Sequence, residues 1–138
     1  MTSSLNLALL LLRVAAGGVL LTHGLQKLLV LTPGAFIGGL AQQGLPLPSI
    51  VGWLLIAGEV GLGTLLVVGL AAKPAAALAA VMVGLVYLTQ HLLPAGFVAD
   101  GAAGLEGEPA LLVLAISLAL AATGPGRFAL DGSRVTAG

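Results

Sequence analysis

From Leu5 to Leu31 the chain runs through an apolar stretch in which Arg13 and Lys27 are the only formal charges. A helix rises about 1.5 Å per residue, so about 20 apolar residues cross the hydrocarbon of a bilayer. Residues 49–71, 74–93 and 108–123 reach or approach the same length. Such repetition points to helices, because lipid offers no partner for a free backbone N–H or C=O. Composition agrees: 59% of residues are hydrophobic and 7% charged, where a soluble domain is about a quarter charged. The expected fold is all-α, a single integral membrane four-helix bundle over residues 1–138.

Proline and glycine set the boundaries. Pro46, Pro48 and Ser49 precede the second span, Pro74 lies in the first turn of the third, and Pro94 ends it. Glu108 and Pro109 open the fourth, and Gly124, Pro125 and Gly126 close it. In the linker 33–48, Phe36, Ile37 and Leu40 repeat at helical spacing, which predicts a short interfacial helix between helices 1 and 2. Met1 to Ser4 lack a basic n-region and an Ala-x-Ala site, so the first span is expected to be retained rather than cleaved. Lys73, Arg127 and Arg134 fall on one side of this topology, which predicts cytoplasmic termini. Trp53, Phe97 and Phe36 are expected in an outer aromatic belt, with Tyr87 deeper. Ala72, Ala76, Ala80 and Gly84, and likewise Ala57, Gly58, Gly61 and Gly63, form small-residue faces that suit close helix packing or a homo-oligomer.

Several classes fall away. The net charge is zero, which argues against nucleic acid as a partner. Cysteine is absent, so disulfide and thiolate chemistry are excluded for this chain. There is no phosphate-binding glycine loop, no Ser-His-Asp pattern, no His-x-x-x-His pair, and no pair of histidines at matched depth for haem.

What stands out against this background is His23-Gly24-Leu25-Gln26-Lys27 near the end of the first span. His23 and Lys27 share a helix face, and Arg13 lies about four turns before Lys27, about 15 Å from His23. Glu59 sits about 15 Å in from the start of the second span, and His23 about 12 Å back from the end of the first. A mid-span carboxylate must be protonated or find a cation. Gln90 and His91 end the third span and Glu108 opens the fourth. Depth therefore predicts a polar, outward-facing ligand pocket of His23, Gln26, Lys27, Glu59, Gln90, His91 and Glu108, with Arg13 in a structural pairing role. Plainer roles stand beside this one: a snorkelling Lys27, an interfacial His91, and a Glu108 that only complements its helix dipole.

These residues resemble the DoxX family. The stretch RVAAGGVLLTHGLQKL (13–28) carries its arginine and its His-Gly-x-x-Lys ending. The likeness continues through Gly34-Ala35-Phe36, Gly44-Leu45-Pro46, Glu59, His91, Gly107-Glu108 and the exit 124–131. Pro109 departs from it, where an aromatic often follows the glutamate. The resemblance implies a small four-helix prokaryotic membrane protein, similar to the small subunit of an archaeal thiosulfate:quinone oxidoreductase. It implies the membrane subunit of a quinone-linked system, in which the chain binds quinone or anchors a redox partner. Two rival readings are a small-molecule transporter or binder that cycles a proton on Glu59 or His23, and a non-catalytic scaffold. No metal, haem or nucleotide motif accompanies any of the three.

Overall fold

The computed structural model describes residues 2–96 and 104–132, and every extended element among them is helical. Phe97, Asp100 and Arg134 lie outside the described residues. Helix α1 spans Ser3–Leu25, its start capped by Thr2 Oγ1, which accepts from Leu5 N–H at 3.4 Å. It continues as a wider π turn over Gln26–Val30, in which Leu31 N–H reaches back to Gln26 O at 2.9 Å. Thr32, at φ 69°, ends the rod, and its hydroxyl caps α2 (Pro33–Gln42). This short helix falls on the linker whose apolar spacing predicts one.

Helix α3 spans Pro48–Val68 and stops at Gly69, whose φ of 75° closes a left-handed C-cap onto Leu65 O. Only Leu70 and Ala71 then precede α4 (Ala72–Tyr87), so α3 and α4 run antiparallel. Helix α4 also continues as a π turn, Leu88–Leu92, and finishes in the single turn α5 (Leu93–Ala95). Helix α6 spans Glu108–Thr123. The rods Ser3–Val30, Pro48–Val68 and Ala72–Ala95 are long and apolar enough to cross a membrane; α6 is apolar but shorter. The expected spans 5–31, 49–71 and 74–93 thus shift by one to three residues at their ends, as Gly69 stops α3 early and the π turn with α5 carries α4 onward to Ala95.

Helix α1 packs on α3, α4 on α6, and contacts of α3 with α4 and α1 with α6 close the bundle. Glycine permits the first contact. Backbone meets backbone where Gly63 faces Gly17 and Leu21, at distances a Cβ would reduce to 2.7 Å. Gly58 instead receives the Met82 sulfur, while Ala57 is exposed and Gly61 has open space beside it. The expected small-residue face of the second span is therefore split between two directions. In α4, Ala72, Ala75, Ala76, Ala79 and Ala80 are all buried, and Val113, Ser117 and Leu120 are the buried side chains of α6. Large apolar side chains such as Leu11, Leu78, Val81, Leu112 and Leu118 point outward, a girdle that water would penalise and lipid would not.

Candidate functional site

The centre of the site is an ion pair between two helices. Lys27 Nζ donates to both Glu59 carboxylate oxygens, each at 2.7 Å. The two side chains retain 20% and 12% of their surface, so the pair is shielded from solvent yet reachable. Three local features place it. Gly24 lets α1 settle against Glu59 Cβ and Val60, where a Cβ would stand 2.7–3.0 Å from their atoms. The π turn at Gln26–Val30 carries Lys27 over α3 and α2, with the Phe36 ring 5.1 Å from its ammonium in a cation–π contact. Two charges held this close in low dielectric stabilise one another, and removal of either strands the other.

The pair opens onto a cavity of about 470 Å³ between α1, α2, α3 and α4. Phe36, Leu40, Leu55, Met82 and Val86 give it apolar walls, while Gln43, Thr89 and Gln90 add polar atoms. Gln90 belongs to the second π turn, so both π segments border one cavity. Such inserted turns redirect side chains and recur at functional sites. On its other side Glu59 lines a smaller cavity of about 70 Å³, shared with His23, Val83, Val86, Pro109 and Ala110. Glu59 is thus a wall between two spaces, with Lys27 in one and His23 in the other.

The seven residues of the expected pocket do not all meet. Lys27, Glu59 and Gln90 line the larger cavity; His23 and Glu59 line the smaller. Gln26 is exposed and lines neither. His91 stacks on Tyr87, ring centroids 5.8 Å apart, and its Nδ1 lies 3.4 Å from Glu106 Oε1. Gly107, at φ 65°, passes so close to that ring that a Cβ would collide with it. His91 therefore fastens the C-terminal end of the α4 rod to the segment leading into α6. Glu108 turns back and accepts from Leu105 N–H at 2.8 Å, bracing its own helix start.

Arg13 occupies the opposite end. It is 2% exposed, and its Nη1 and Nη2 donate to Pro125 O and Phe128 O at 3.3 and 3.0 Å. It pairs with carbonyls of the segment after α6. Asp131 completes this lower lock by accepting from Ala72 N–H at 2.9 Å, and Asn6 Oδ1 accepts from Arg127 N–H at 3.0 Å. The sequence alone points to no partner for Asn6, Asp131 or Glu106. Their partners lie 121, 59 and 15 residues away, distances over which spacing carries no signal.

Among the described residues no group of three His, Asp or Glu side chains converges to hold a metal. The arrangement defines a class: a small helical protein with membrane-length apolar rods and a charged pair at the head of an apolar cavity. The DoxX family profile matches residues 8–92, more than half of the chain, and the protein belongs to that family. Family and rods together support a transmembrane protein. No curated protein and no solved structure matches the chain.

Proposed function

We propose that this protein is the quinone-binding membrane subunit of an oxidoreductase system in a prokaryotic cell membrane, four helices deep in the bilayer with both termini cytoplasmic. The observation that carries this reading is the Lys27–Glu59 pair opening onto an apolar cavity of about 470 Å³. A quinone is an apolar ring and tail with two carbonyl acceptors, and binding sites for such molecules are mostly apolar with few polar groups. When bound, it supplies two-electron, two-proton redox chemistry.

The chain's own residues supply the rest. Lys27 is the donor for one carbonyl oxygen, with the amide of Gln90 lining the same space. Phe36, Leu40 and Leu55 enclose the ring. With Lys27 turned toward such an oxygen, Glu59 would be the carboxylate free to take up a proton and then pass it on. His23, which lines the smaller cavity with Glu59, would receive that proton. The electron carrier belongs to a partner subunit, since the sequence has no cysteine, no paired haem histidines and no nucleotide loop. Mass spectrometry of lipids and quinones retained by gently purified protein tests the reading. A quinone in wild type, lost in a variant with Leu55→Trp filling the cavity, supports it; equal retention contradicts it.

A second reading rests on Glu59 lining both cavities. A carboxylate that faces two spaces in turn is what a proton-coupled carrier needs. It predicts pH-gradient-driven solute flux in proteoliposomes without a redox partner, which the quinone reading does not.

A further inference from the structure

At the end of the bundle opposite the Lys27–Glu59 pair lies a third cavity, about 290 Å³, lined by Ser3, Asn6, Arg127 and Phe128. It has no part in the quinone reading. The Arg127 guanidinium and the Ser3 hydroxyl have no hydrogen-bond or ion-pair partner among the described residues. The nearest acid in sequence, Asp131, is committed to Ala72 N–H. The backbone that carries Arg127 is nevertheless fixed. Asn6, 3% exposed, accepts from Arg127 N–H through Oδ1 and donates through Nδ2 to Thr2 O at 3.2 Å. A wall fixed at its backbone thus presents an exposed planar cation, unpaired among the described residues, beside an exposed hydroxyl, and such a cation matches phosphate bidentately.

We propose that this cavity binds the phosphate of an anionic phospholipid headgroup. Phe128, 57% exposed, forms the rim, where an aromatic ring suits the headgroup level. The volume takes about ten water-sized groups, about the heavy-atom count of a phosphoglycerol headgroup. Lys73 lies at the same end of the bundle, since Asp131 bonds to the α4 start beside it, but it does not line the cavity; Arg127 alone supplies the cavity's charge, and a cationic pocket at a membrane surface selects anionic headgroups. The inference rests on the membrane setting and not on quinone binding.

The test uses full-length protein in nanodiscs of phosphatidylcholine with and without phosphatidylglycerol, followed by native mass spectrometry. Wild type is expected to retain phosphatidylglycerol over phosphatidylcholine. Arg127→Gln should lower that retention at least about five-fold, the weight of one basic residue near an anionic surface, with its melting temperature unchanged. Ser3→Ala should weaken retention less, and Lys73→Gln should leave it intact. Equal retention in Arg127→Gln, or an equal loss in Lys73→Gln, overturns the site in favour of diffuse surface charge. Displacement of the lipid by millimolar inorganic phosphate overturns the lipid assignment in favour of a free-phosphate site.

Discussion

Lys27 and Glu59, 32 residues apart in sequence, meet across α1 and α3 with both carboxylate oxygens 2.7 Å from one ammonium. The pair is a lock and, in the quinone reading, a site, and the two roles separate experimentally. Glu59→Gln leaves a shielded ammonium without its anion and should destabilise the bundle by about 3 kcal/mol. The double variant Lys27→Met/Glu59→Leu removes both charges at similar volume and should recover most of that loss in a thermal melt. If the double variant also retains quinone as wild type does, the pair is only a lock and the scaffold reading gains.

The close approach of α1 to α3 depends on particular glycines. Gly24→Ala pushes a methyl group into Val60 and Glu59, and should destabilise the protein by about 1–3 kcal/mol. Gly18, with nothing within 4 Å of its would-be Cβ, is the control. Gly18→Ala should be neutral or slightly stabilising, since Ala is the better helix former by about 1 kcal/mol. Denaturant titration in detergent checks both, and an equal cost for the two would mean the helices are farther apart than described.

Arg13 ties α1 to the segment after α6 through two carbonyls. Arg13→Met should cost about 2–4 kcal/mol, as two charge-assisted hydrogen bonds are lost. It should also open the segment to trypsin at Arg127. Lysine should not rescue it, because a compact ammonium lacks the planar fork that spans both oxygens. Timed proteolysis of detergent-solubilised protein reads this out; an uncleaved Arg13→Met would contradict the lock.

His91 and Glu106 tie the C-terminal end of the α4 rod to the segment before α6, and neither lines the two cavities around Glu59. Glu106→Gln should cost less than about 1 kcal/mol, as expected for a partly exposed pair, and leave quinone retention unchanged. A large loss of retention would return His91 to the ligand site.

Much of the fold is legible in the chain because lipid-length apolar runs, proline stops and glycine ends are local signals. That Glu59 must be protonated or find a cation is legible too, from depth alone. The two π turns are not: a single inserted residue leaves no mark in hydropathy, yet it moves Lys27 and Gln90 to the edge of one cavity. Depth brings His91 and Glu108 to the level of the other polar groups. It says nothing of direction, and Gly107 and Leu105 turn those side chains toward Glu106 and the helix start instead. The return of residues 124–132 beneath α1 and α3 arises from carbonyl and amide partners that no periodicity encodes.

The most direct test of the central claim is equilibrium binding of a short-chain quinone to the protein in nanodiscs, followed by quenching of Trp53, the single tryptophan. The account predicts saturable binding to wild type at one site, and at least about a ten-fold loss both in Leu55→Trp, read there by competition with the wild type, and in Lys27→Met/Glu59→Leu. Binding that is unsaturable, or that is the same in all three proteins, would contradict it.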